Sequence, residues 1–176
     1  MARDLMGGVG GEPRDLDEWY LGAHRPLERT MWVMCGDRDL ARDLCDEAFA
    51  RALADWGRVG GMRSPGGWVR TVAVNLLRRR MRRRAMEARL LRRHRPEPVS
   101  PPEVAPELWV AVAALPDRQR EAIALRYVAD LTEAGVAEAM GISAGAASAT
   151  LSAARRRLAE VLDPEHVAAD RIEEAT

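Results

Sequence analysis

Lysine is missing from this chain: all 27 of its basic residues are arginine, set against 27 acidic ones. Aromatics are scarce, with one Phe and two Tyr, so any core has to be built from Leu, Val, Ala, Met and the five Trp. The two cysteines, Cys35 and Cys45, have no CxxC spacing, and His24, His94 and His166 are scattered. A zinc site is therefore not expected, and two buried, reduced thiols are. No Gly-rich phosphate loop, HExxH or GxSxG occurs, so nothing argues for an enzyme, a metal or a cofactor. Met1–Gly11 lacks the apolar stretch of a signal peptide. The longest unbroken apolar run, Leu108–Leu115, is far too short to span a bilayer. No membrane insertion is expected, and the expected location is cytoplasmic.

What the chain has instead is separated charge. Its formal net charge is zero, yet Gly67–Arg95 holds eleven arginines (Arg70, Arg78, Arg79, Arg80, Arg82, Arg83, Arg84, Arg89, Arg92, Arg93, Arg95) against one acid, Glu87. Val69, Val72, Ala73, Leu76, Leu77 and Met81 recur at spacings of three and four, which predicts a helix with an apolar stripe. Asn75, Arg78, Arg79 and Arg82 fall on the opposite side. Beyond Met81 the stripe thins while the arginines continue, so the helix is expected to run out past the body it packs on. Guanidinium groups along a rod suit the phosphates of nucleic acid. A solvated basic face, an acidic partner surface or anionic lipid would account for the same pattern.

The rest of the chain reads as helix throughout. After a Gly-rich Met1–Arg14, a helix is expected over Leu16–Cys35, broken or kinked at Pro26, with Gly36-Asp37 as a turn. Asp39–Trp56 reads as an amphipathic helix. Leu40, Leu44, Ala48, Ala52 and Trp56 form one row with Cys45, Phe49 and Leu53 beside it, and Asp39, Asp43, Asp46 and Glu47 stand on its polar side. Gly57–Gly67 reads as a loop. Pro96–Pro106 places five prolines in eleven residues, a semi-rigid linker. Then come short helices over Glu107–Leu115, Asp117–Ala129 and Thr132–Met140, the turn Gly141-Ile142-Ser143, and a last helix to about Leu162. Ala147, Leu151, Ala154, Leu158 and Val161 form the inward stripe of that last helix. Thr132 and Ser143 are expected N-caps. The fold class is all-α, with two small helical domains over residues 15–95 and 107–162 joined by the linker 96–106. The second is a trihelical helix-turn-helix domain, and the acidic tail Glu165–Thr176 is expected to fray.

Both halves resemble one family, the bacterial RNA polymerase sigma factors in their short extracytoplasmic-function form. Leu115-Pro116-Asp117-Arg118-Gln119-Arg120-Glu121, then Leu125-Arg126-Tyr127, look like the opening of its second DNA-binding domain. Leu131-Thr132, Val136-Ala137, Met140-Gly141-Ile142-Ser143, Gly145 and Ala154-Arg155-Arg156-Arg157-Leu158 keep the register. In the first half, Gly36-Asp37, Ala41, Asp43-Leu44 and Glu47-Ala48-Phe49 resemble the polymerase-docking helix. Pro65, Trp68-Val69-Arg70, Ala73, Asn75-Leu76 and Arg78 resemble the helix that meets the −10 promoter element.

The resemblance implies a specificity subunit that directs promoter-specific initiation while the polymerase does the chemistry. Leu40, Asp43, Asp46, Glu47 and Phe49 would bind core RNA polymerase, through its β′ and β subunits. Arg63, Trp68, Arg70, Asn75, Arg78, Arg79 and Arg82 would hold the −10 region, with a flipped base received in the Gly-rich loop. Arg126, Thr132, Ser143, Gly145, Ser148, Thr150, Ser152, Arg155 and Arg156 would meet the −35 element in the major groove. Promoter DNA and core polymerase are the implied partners, with an anti-sigma factor as a further one. The chain departs from the family pattern where Ser148, Thr150 and Ala153 stand in place of the usual long basic side chains. Its outward Ala146, Ala149 and Ala153 offer no donor, and Gly135 stands where a Glu would complete a capping box with Thr132. A second reading follows from these departures. It is a sigma-like interaction protein that binds polymerase or an anti-sigma partner with degraded −35 readout. A plain helix-turn-helix repressor would leave the N-terminal half unexplained.

Overall fold

A computed structural model describes residues 16–91 and 106–162 of the chain. Every element among them is helical, and the chain divides into two compact units. The segment Met1–Arg14, the linker residues 96–105 and the tail Glu165–Thr176 lie outside the described residues.

The first unit holds α1 (Leu16–Cys35), α2 (Arg38–Ala54), the short α3 (Trp56–Val59) and α4 (Pro65–Leu91). Gly36, at φ 70°, makes the corner after α1 in a conformation that a side chain would strain. Asp37 then caps α2 by accepting from the Leu40 amide at 2.9 Å. The core forms where the predicted stripes meet: Trp19, Ala23, Leu27, Met31 and Met34 of α1, Leu44, Cys45, Ala48 and Phe49 of α2, Val69, Ala73, Leu76 and Leu77 of α4. Phe49 is its largest fully buried side chain, and the Trp19 ring lies 5.1 Å from Phe49 and 4.6 Å from Trp56.

Two expectations for this unit, a break at Pro26 and a loop throughout Gly57–Gly67, are corrected. α1 runs unbroken through Pro26. Proline removes one ladder hydrogen bond at about 3 kcal/mol, but Ala23, Leu27, Thr30 and Met31 around it are buried, and packing outweighs that cost. The Thr30 hydroxyl donates back to the Pro26 carbonyl at 2.9 Å, a bond of the kind that bends a helix without ending it. The expected loop Gly57–Gly67 contains helix at both ends, α3 and the first turn of α4. Ser64 Oγ accepts from the Gly67 amide at 3.2 Å and Pro65 opens the helix, a cap-then-proline signature that was present in the sequence. Gly60 is needed for space, since a Cβ there would lie 2.9 Å from the Trp56 ring.

The second unit holds α5 (Pro106–Ala114), α6 (Asp117–Ile123), a π-helical turn (Ala124–Val128), α7 (Glu133–Met140) and α8 (Ala144–Leu162). Arg120 is buried and ties the first two helices together. It donates to the Ala113 carbonyl and to Asp117, each at 2.7 Å. The single helix expected over Asp117–Ala129 is α-helical only to Ile123. It then widens, with the Ala129 amide donating to the Ala124 carbonyl at 3.0 Å. Thr132 caps α7 through the Gly135 amide at 3.1 Å, and Ser143 caps α8 through the Ala146 amide at 3.2 Å, as the sequence predicts. Between them Gly141 stands at φ 64°, the left-handed cap that lets α8 turn away from α7. Val136, Ala137 and Met140 bury against Ala147, Leu151 and Ala154, completing a helix-turn-helix. The inward stripe of α8 stops short of its expected end: Leu158 is half-buried and Val161 is exposed.

Candidate functional surfaces

Helical periodicity sorts the residues of α2 into two roles. Leu40 and Phe49, expected to touch a partner, are buried at 4% and 1% exposure. They hold the helix in place, and the acids Asp39, Asp43, Asp46 and Glu47 are what it presents. Asp46 is engaged by His24 Nε2 of α1 at 2.8 Å, and Glu47 by Arg51 one turn on. Asp43 makes no ion pair among the described residues. Beneath this face the Cys45 thiol is pushed well above its usual range by burial, reinforced by the Glu28 and Asp46 carboxylates. Cys35 is only partly buried, and its thiol donates to the Asp37 carbonyl at 3.1 Å.

A groove runs between α2 and α4, lined by Leu40, Asp43, Leu44 and Glu47 on one side and by Leu76, Arg79, Arg80 and Arg83 on the other. No ion pair crosses it among the described residues, so an apolar floor carries one acidic and one basic wall. Arg79 therefore belongs with Arg80 and Arg83 on the α2 side of α4, and apart from Arg78 and Arg82. Thr71, Asn75, Arg78 and Arg82 form the other row, spaced by three and four, with Arg78 Nη1 donating to Asn75 Oδ1 at 3.5 Å. Sequence reasoning missed Arg80 and Arg83 as groove residues. The repeat Leu76, Arg79, Arg80, Arg83 was the available signal.

Arg70 does not belong to the exposed set. At 6% exposure it lies on the buried face of α4, which it and Val74 widen beyond the predicted stripe. Arg63 is exposed in the loop before α4, and Trp68 is half-buried with the Arg58 guanidinium 5.7 Å from its ring centre. The expected overhang of α4 begins later than Met81, because Arg84 still reaches Asp37 at the α1–α2 corner at 3.4 Å. Beyond it Met86 is 65% exposed.

In the second unit, most of the expected polar residues are already committed. The Thr132 and Ser143 oxygens each accept from a cap amide, which leaves the O–H of each able to donate. The Thr150 hydroxyl donates to the Ala146 carbonyl at 2.7 Å. Arg126 Nη1 donates to the Leu131 carbonyl at 3.0 Å. Arg155 is held by the Tyr127 hydroxyl at 2.9 Å and Glu133 at 3.2 Å, and both bonds favour its charged form. Gly145, Ser152 and Arg156 are exposed and Ser148 is half-buried. Arg156 has only a loose contact to Glu160 at 3.9 Å. The face can therefore grip phosphates through its arginines, and its first two turns offer methyl groups and a few short hydroxyls. Among the described residues, no group of three or more His, Cys, Asp or Glu could hold a metal ion, and no helix is long and apolar enough to cross a membrane.

Two family matches fall on these two units in order. The Sigma-70 region 2 family matches residues 20–87, and the family described as Sigma-70, region 4 matches residues 106–158. The chain is similar to the RNA polymerase sigma-E factor of Streptomyces coelicolor, 29% identical over 159 residues, a match covering 86% of this chain and 88% of that protein. In fold it is similar to the sigma factor RpoE of Bartonella quintana, solved in complex with the anti-sigma factor NepR. That match has a TM-score of 0.71 at 22% identity and covers 86% of this chain and 98% of the other.

Proposed function

The chain belongs to the sigma-70 family as an RNA polymerase sigma factor of the extracytoplasmic-function type, acting in promoter-specific transcription initiation, and from that premise we propose how its surfaces divide the work. The observation that carries this reading is the order of the two matched regions on two separate helical units, each with its own charged face.

The acidic face of α2 docks on core RNA polymerase, on its β′ and β subunits. Asp43 leads and Glu47 follows, because exchanging an unpaired carboxylate for a partner's cation breaks no bond already made. Asp46 contributes less, since it must first leave His24. Arg63 and Trp68 stand at the −10 element, with the row Asn75, Arg78 and Arg82 on the strand backbone, where arginines neutralise phosphates. Arg79 serves from the groove side. In the second unit α8 enters the major groove of the −35 element, with Gly145, Ser148 and Ser152 toward the bases and Arg156 on phosphate. Each site alone is weak, and joining them raises the effective concentration of the second once the first has bound. The polymerase performs the chemistry and this chain supplies specificity, in the cytoplasm. An anti-sigma factor is a further partner, by analogy with the relative solved in such a complex.

The first turns of α8, which offer only Ser148 and Thr150 as polar side chains, favour a second reading, a sigma-like interaction protein whose −35 readout is degraded. Run-off transcription by core polymerase plus this protein on fragmented genomic DNA decides between them. Discrete transcripts that require the protein support the first reading. Stable binding to core polymerase without transcripts supports the second.

A further inference from the structure

Arg155 stands on the exposed flank of α8, directly before Arg156 and Arg157. Its Nε donates to the Tyr127 hydroxyl and its Nη2 to a Glu133 carboxylate oxygen. These two nitrogens lie along one edge of the guanidinium, the edge with which an arginine grips two phosphate oxygens side by side. A phenol oxygen from the π turn and a carboxylate oxygen from the first turn of α7 thus occupy the positions that a phosphate's oxygens would take. Neither acceptor is buried: Tyr127 is 57% exposed, and the side chains of Glu133 and Arg155 are 46% and 44% exposed. Core packing does not require this arrangement. A large aromatic in solvent, aimed at an arginine on another helix, needs a different reason.

We propose that Glu133 and Tyr127 act as an intramolecular phosphate mimic that withholds Arg155 from DNA and so lowers the sequence-independent affinity of the helix-turn-helix. The inference rests on the reading of residues 106–162 as a DNA-binding unit. Phosphate contacts carry no sequence information, and the first two turns of α8 have little with which to read bases. An additional phosphate grip would raise binding to every sequence alike, and with it the competition from non-specific sites. Withholding Arg155 preserves the specificity ratio that the small residues can supply.

The test is equilibrium binding of the full chain to a mixed-sequence DNA duplex, followed over a range of salt concentrations. Binding through α4 is common to all variants and cancels in the comparison. Glu133→Gln is expected to tighten binding about two- to fivefold, the range an exposed ion pair is worth. It should also steepen the slope of log affinity against log salt by up to about 0.9, one phosphate's share. Tyr127→Phe removes an acceptor without changing charge and should shift affinity the same way, by less. In an Arg155→Gln background the effect of Glu133→Gln should vanish. If it persists there, only general charge removal is at work and the mimic is overturned. Unchanged or weaker binding in both Glu133→Gln and Tyr127→Phe overturns it as well, with thermal melting confirming that each variant is folded. Arg156→Ala separates failure of the mimic from failure of the DNA-binding reading. If it flattens the salt slope while Glu133→Gln does nothing, only the mimic fails. If neither Arg156→Ala nor any of the other changes alters binding, the DNA-binding reading of the unit fails with it.

Discussion

α4 and α8, the two long helices proposed above to meet DNA, are built in opposite ways. Over its 27 residues α4 has arginine at every position from Arg78 to Arg84 except Met81. Over its 19 residues α8 begins with alanine, glycine, serine and threonine and reaches its arginines only at Arg155. A helix of the first kind gains affinity from counterion release, which is large and indifferent to sequence. A helix of the second kind can approach a groove closely yet holds it weakly. On the proposed reading, strength of binding would fall to the first unit and register to the second.

The comparison breaks most visibly if α4 is disarmed. Replacing Arg78, Arg79 and Arg82 by Ala should flatten the salt dependence of DNA binding by about two units, at about 0.7 to 0.9 for each phosphate no longer neutralised. It should also abolish open-complex formation, scored by permanganate footprinting of the melted strands. Retained melting would place the work elsewhere. The next largest effect belongs to α2. Reversing charge at Asp43 and Glu47 together should cost several kcal/mol of core-polymerase binding, the scale of like-charge juxtaposition at an interface, with helicity by circular dichroism unchanged. Of the single changes, Asp43→Arg should weaken a pull-down titration more than Asp46→Arg, because Asp46 is already committed to His24.

A smaller effect sharpens the contrast between the two helices. On a promoter found by run-off transcription, scrambling the −35 element should reduce transcript yield less than scrambling the −10 element at one fixed salt. A good bidentate base contact discriminates by about 1–3 kcal/mol, and α8 has no long side chain in its first two turns to make one. A larger drop at −35 would mean that α8 reads thymine methyls or groove shape. The smallest effect is on stability: Gly141→Ala forces a Cβ into the left-handed region and should destabilise the second unit by about 1–2 kcal/mol, measured by thermal unfolding.

Much of this architecture was legible because it is repetitive. The stripes of α2 and α4, the caps Thr132 and Ser143 and the glycine turn between them are local signals, and the structure follows them except where Leu53 is exposed and Val72 and Met81 are half-buried. What periodicity could not supply was which side of a charged helix meets a neighbour. Arg70 looks like its fellow arginines in sequence, and only the packing of α4 turns it inward. Phe49 carries a family resemblance to a docking helix and Leu40 was expected to bind with it, but an apolar side chain on an inward stripe is claimed by the core first. Pro26 misled in the opposite direction, since a local penalty was outweighed by buried side chains on both sides of it. The tie of Arg155 to Tyr127 and Glu133 joins residues 28 and 22 positions apart and has no signature in any single stretch of sequence.

The π turn at Ala124–Val128 has a geometric consequence of its own. A helix advances by about 100° per residue, so one residue of extra slack resets the phase of all that follows. The azimuth at which Leu131 and the Thr132 cap lead the helix-turn-helix away from α6 is thus set by a residue count. Side chains of the turn hold that heading, with Ala124 and Leu125 buried in the core and Arg126 bonded to the Leu131 carbonyl. Deleting one residue there would put the Thr132 cap and α7 out of phase with α6, on which α8 is packed, and so would strain the core of the unit.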